Sequence, residues 1–237
     1  MNRRGWELLA RHYGDPVSAD TAVATSHLLE DRPVWRGRMH AWAFFVAIPA
    51  SIALIWSADG AAGKVGASIY GATLVLLFGT SAAYHRLAQT ERSRRIMQRL
   101  DHSMIYLLIA GTYVPLCLVV LPPAWGIPVL AVVGVFAVVG MTLKLTAFER
   151  GQWLAYALYP IMGWVALVAA PALLRHLSLT QLGLIVAGGI AYTVGMPVLL
   201  RRRPDPWPST FGYHEVWHLF TVIAATLHFA AVTDVVA

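Results

Sequence analysis

The sequence predicts an all-α integral membrane protein of seven transmembrane helices, with the N-terminus in the cytoplasm and the C-terminus outside. Three observations predict it. First, 58% of the 237 residues are hydrophobic and only 13% are charged, whereas a soluble domain carries about 25% charged residues. Second, the 18 Lys and Arg fall in short clusters, separated by uncharged runs near the ~20 residues that a helix needs to cross a bilayer core. These runs lack the polar stripe of a soluble amphipathic helix. Third, the basic residues divide unequally between the two sides that seven spans define.

The spans follow in order. Span one runs from Met39 to Ser57, span two from Lys64 to Leu87, and span three from Met97 to Leu121, stopped by Pro122-Pro123. Span four covers Trp125 to Thr146, span five Trp153 to Leu174, span six Leu179 to Leu200 and span seven Tyr213 to Val236. Each is helical, because a lipid-facing backbone must satisfy its own polar groups. Pro115, Pro160 and Pro171 are expected to kink or end helices. Trp56, Trp125, Trp153 and Trp207 lie near span ends, as interfacial anchors do.

Orientation comes from charge. One side holds Arg3, Arg4, Arg11, Arg32, Arg36, Arg38, Arg86, Arg92, Arg94, Arg95, Arg99, Lys144, Arg150, Arg201, Arg202 and Arg203, which makes 16 against Lys64 and Arg175 on the other. The positive-inside rule puts the 16 in the cytoplasm. Residues 1–38 form a cytoplasmic N-terminal segment and residues 39–237 the membrane domain. Residues 1–38 contain no apolar signal-peptide core, so the segment is expected to stay on the mature protein. The net charge of +6 reflects these flanking cations rather than nucleic-acid binding, for which no motif is present. The single cysteine, Cys117, excludes an internal disulfide and reads as a small buried hydrophobe.

Ionisable residues inside spans are costly and mark function. Ser81 and His85 in span two, and His214 and His218 in span seven, are pairs at i and i+4, each on one helix face. Two imidazoles so spaced can share a metal ion. A catalytic zinc takes three protein ligands and leaves its fourth position to water, and His85 supplies the third. Depth supports the grouping: the charge-derived topology places His85, Asp101, His214 and His218 in one layer near the cytoplasmic face. Asp101 is expected to accept a proton from the attacking water, or else to orient a ligand histidine. Ser81 is expected to orient the water or a substrate carbonyl. The simpler alternatives are that Ser81 bonds its own helix and that Asp101 is a helix-dipole charge. His40 is expected at the membrane interface, His102 in helix packing and His228 in a structural role.

His214-Glu215-Val216-Trp217-His218 also matches the H-E-x-x-H metalloprotease pattern, with Glu215 as the base. The usual extension needs a histidine at position 224, which is Ala224. Otherwise Glu215 is a surface charge at a helix start.

The block from Phe78 to His85 resembles the S-x-x-x-H motif of the hemolysin III family, the bacterial branch of the progestin and adipoQ receptor family. Leu100–Pro115 (LDHSMIYLLIAGTYVP) resembles its third-helix signature, and His214–Phe220 (HEVWHLF) its H-x-x-x-H motif. Pro33–Trp42 (PVWRGRMHAW) also fits. The resemblance implies zinc held by His85, His214 and His218, with Asp101 and Ser81 joined through the bound water. It implies kinship with alkaline ceramidases in a proposed superfamily of membrane metal-dependent hydrolases, and a bacterial inner-membrane location. The expected function is zinc-dependent hydrolysis of a lipid amide or ester. A non-enzymatic receptor with structural zinc and a haemolytic pore are the alternatives.

Overall fold

The computed structural model describes residues 33–148 and 152–237. Residues 1–32, with Arg3, Arg4, Arg11 and Arg32, and residues 149–151, with Arg150, lie outside the described residues. Seven stretches are long and apolar enough to cross a membrane, as expected, and no β-strand occurs among the described residues.

Span one is α1 (Arg38–Ser57), span two α2 (Gly60–Leu87) and span three α3 (Glu91–Pro115). At Pro115 the helix passes into a π-helical turn, Leu116–Val120, because proline offers no N–H to the carbonyl four residues back. Span four is α4 (Pro123–Thr146). Span five is broken into α5 (Gln152–Trp164), a 3₁₀ turn (Val165–Ala169) and α6 (Ala170–His176), with Pro171 in the first turn of α6. Spans six and seven are α7 (Leu179–Arg201) and α8 (Tyr213–Val236).

Two starts precede the hydropathy-based ones by a turn or more. α2 begins at Gly60 rather than Lys64, and α3 begins at Glu91 rather than Met97. The early start of α3 is set by a capping box, in which Thr90 and Ser93 each bond the other's backbone N–H. Its first turns are polar and stand outside the apolar span.

Sequence neighbours pack as antiparallel pairs, and α8 closes the bundle by touching α1, α2 and α3 as well as α7. Lipid removes most of the hydrophobic drive between helices, so close fit and buried polar contacts must hold them. Tyr113 Oη accepts from Ala166 N at 2.9 Å and donates toward the Met162 carbonyl at 2.8 Å, tying α3 to the broken fifth span. Gly140 on α4 lies under the Tyr106 ring, where any side chain would collide with it. Large apolar groups such as Trp42, Phe45, Trp56, Val135, Val138 and Leu167 are exposed; on a membrane-spanning bundle this is the lipid-facing surface.

Candidate metal centre

α2 presents His85 in its last turn and α8 presents His214 and His218 in its first two turns. The chain between α7 and α8 fixes the start of α8. Asp205 Oδ1 accepts from Tyr213 N at 2.8 Å, and Glu215 Oε2 accepts from Gly212 N at 2.9 Å, satisfying N–H groups that a helix start leaves open. The segment before α1 is bonded to the same loop, with Val34 N and Trp35 N donating to the carbonyls of Ser209 and Thr210 at 3.1 and 3.0 Å. Gly37, the N-cap of α1, has φ 73°. A Cβ there would stand 2.6 Å from the His85 Cβ, so both the backbone conformation and the close approach require glycine.

These elements bring His85, His214 and His218 together. One ring nitrogen from each lies within 4.8 Å of the others. His85 Nε2 and His214 Nε2 are 3.1 Å apart. Two nitrogens on one tetrahedral zinc, each ~2.0–2.1 Å from it, would stand roughly 3.3 Å apart. The rings meet edge to face, at 73° for His85–His214, 60° for His85–His218 and 62° for His214–His218, as side chains converging on one point do. His85 and His218 are buried and His214 half-buried. The buried Nδ1 of His218 has no hydrogen-bond partner among the described residues. Three neutral imidazoles, so arranged and walled by apolar helices, suit a borderline transition metal such as zinc far better than magnesium or calcium.

The Asp101 carboxylate stands 4.0 Å from His85 Nε2 and 3.9 Å from His102 Nδ1. It faces the histidine group without belonging to the set of mutually close donors. α3 begins ten residues before Asp101, about 15 Å along the axis. A helix-dipole charge acts only within the first turn, so that alternative fails. Ser81 is buried and interacts with the Asp101 carboxyl. It is also 2.8 Å from His40 Nδ1. This hydroxyl therefore has partners on α1 and α3, and the self-bonded alternative is not what the structure contains.

His40 corrects the sequence reading. It is 4% exposed rather than interfacial, and its ring lies flat on His218, with centroids 3.8 Å apart and planes 8° apart. Its position at the start of α1 puts it in the same layer as the other histidines, so the depth criterion was the signal that could have found it.

Glu215 is fully buried, ion-paired with Arg36 Nε and bonded to Gly212 N. It is neither a surface charge nor a free base, and the metalloprotease reading loses its catalytic group. His102 packs on Phe148 and bonds the Gln98 carbonyl at 2.8 Å. His228 Nε2 lies 3.1 Å from the Ile185 carbonyl, away from the cluster. Lys144, counted among the loop cations, is instead fully buried, with Nζ 3.8 Å from the Tyr156 ring centroid.

Residues 30–229 match the family model described as haemolysin-III related. The chain is similar to Hemolysin-3 of Bacillus cereus, 34% identical over 196 residues that cover 81% of this chain and 86% of that protein. It is 31% identical over 186 residues to the Hemolysin-3 homolog of Bacillus subtilis (strain 168), covering 77% of this chain and 84% of that one. A more distant match is the Adiponectin receptor protein of Drosophila melanogaster, 23% identical over 186 residues, 71% of this chain and 41% of that protein.

Proposed function

The chain belongs to the haemolysin-III-related family, and on that premise we propose that it is a zinc-dependent hydrolase of a lipid amide or ester in the bacterial plasma membrane. The observation that carries the reading is the three-histidine group with a carboxylate beside it but outside it. A protein-closed structural site would have placed Asp101 among the mutually close donors.

His85, His214 and His218 would hold the ion. When bound, zinc supplies Lewis-acid activation of a carbonyl and of water near neutral pH. The remaining work falls to the chain itself. Asp101 would accept the proton of the attacking water and return it to the departing amine or alcohol, and Ser81 orients that carboxylate from the side of α2. His40 and the apolar walls of α1, α2, α3 and α8 keep bulk water out. The layer lies toward the cytoplasmic ends of the helices, within reach of the scissile bond of a lipid whose chains stay in the bilayer.

A haemolytic pore finds less support. The interior between α3, α4 and α5 is filled by Tyr106, Tyr113, Val133, Tyr159 and Met162 rather than by a charged stripe that could line a channel.

The test is turnover of fluorogenic lipid amides and esters by zinc-loaded protein in detergent or bilayer discs. Wild type is expected to cleave at least one class, and Asp101→Asn to retain zinc while losing roughly 10²–10⁴-fold in rate. Unchanged turnover in Asp101→Asn would remove its role as base.

A further inference from the structure

We infer that His40 is a positioning residue of this metal centre: its ring fixes the plane of the His218 imidazole by face-to-face contact, and Ser81 in turn fixes His40. The inference rests on the metal-binding reading of the three histidines.

A ligand imidazole is ordinarily held by a hydrogen bond from the ring nitrogen that does not face the ion, and such outer partners are worth about 10–100-fold in metal affinity. For a ligand binding through Nε2, that nitrogen is Nδ1. On the reading that His218 faces the ion through Nε2, as His85 and His214 face each other, its Nδ1 is buried and has no hydrogen-bond partner among the described residues. Rotation about the Cβ–Cγ bond must therefore be restrained in another way. The His40 ring supplies the restraint, lying 3.8 Å from His218 at an interplanar angle of 8°. None of the other three ring pairs within the cluster is parallel.

His40 is itself held on three sides. Its Nδ1 is 2.8 Å from Ser81 Oγ, its ring meets Phe78 edge-on at 5.1 Å, and His218 covers its face. Its Nε2 is buried without a hydrogen-bond partner, so the Ser81 bond is the polar contact that sets the ring's rotation. α2 thus acts twice, giving His85 directly and steadying His218 through Ser81 and His40.

The experiment is competition of zinc against a chromophoric chelator in purified full-length protein, alongside the visible absorption of the cobalt-substituted form. His40→Ala is expected to keep one ion per chain at saturation but to weaken zinc binding by about 10–100-fold and to alter the cobalt bands. His40→Phe retains a flat ring and should lose less than ~10-fold, which keeps the test alive if the alanine variant folds poorly. Ser81→Ala should weaken binding modestly, and His40→Ala with Ser81→Ala should lose less than the sum of the two single losses, since Ser81 steadies the ligand set in part through His40. A His40→Ala protein with wild-type zinc affinity and an unchanged cobalt spectrum would overturn the proposal, as would additive losses in the double variant. Absence of metal from wild type would instead overturn the underlying metal reading.

Discussion

At the scale of single residues, function depends on which polar groups are free to act. Glu215 is not, because Arg36 and the Gly212 N–H hold its carboxylate inside the protein. Arg36→Ala would strand that charge, and breaking a buried pair from one side costs several kcal/mol. Arg36 keeps 21% exposure, which argues for the low end, about 3 kcal/mol. Thermal unfolding of metal-free protein in detergent should show a clear loss, and an unchanged midpoint would mean that the pair is dispensable. The site was unevenly legible at this scale. His214 and His218 announce themselves by a four-residue spacing, and His85 joins them through depth. His40 has no partner close in sequence: Ser81 is 41 positions away. Its role depends on the register of α1 against α8, which no local pattern encodes.

At the scale of elements, helix starts matter more than hydropathy suggests. α3 extends to Glu91 because Thr90 and Ser93 cap it, although its first turns are too charged to count as membrane span. Thr90→Ala should cost about 1 kcal/mol, read by unfolding, with zinc content unchanged because Asp101 lies ten residues further on. Gly37 gives the opposite expectation. Gly37→Ala puts a methyl group against His85 and forces a left-handed backbone on alanine, so zinc binding should fall even where the bundle still folds. A Gly37→Ala protein with wild-type zinc affinity would show that α1 and His85 are not coupled through this contact. Pro115 ends α3 as expected, whereas Pro160 sits inside α5, which runs on to Trp164, and Pro171 stands in the first turn of α6. These outcomes were not legible in detail, since a π turn after Pro115 and a 3₁₀ turn after α5 depend on which neighbouring groups satisfy the freed carbonyls.

At the scale of the whole molecule, seven spans were readable because two independent signals agreed, apolar run length and the placement of Lys and Arg. Lys144 is the instructive exception. It contributed to the count as a loop cation, yet α4 continues past it to Thr146 and folds it over Tyr156. The asymmetry survives its removal, since one residue is a small part of the bias. The orientation predicts labelling. Cys117, the native cysteine, is buried, so engineered cysteines report alone. In intact cells a membrane-impermeant maleimide should label Asp59→Cys, between spans one and two, and spare Gln89→Cys, between spans two and three. The reverse pattern would invert the topology and put the histidine layer at the outer face.

The most direct test of the central claim is the metal content of detergent-purified protein, wild type beside His85→Ala, His214→Ala and His218→Ala. A shared three-histidine site predicts near one zinc per wild-type chain and loss of that zinc in each of the three variants, with helical content retained. Wild-type protein that takes up no metal after reconstitution with zinc, or variants that keep it, would contradict a shared three-histidine site and leave the cluster as a packing feature of the bundle.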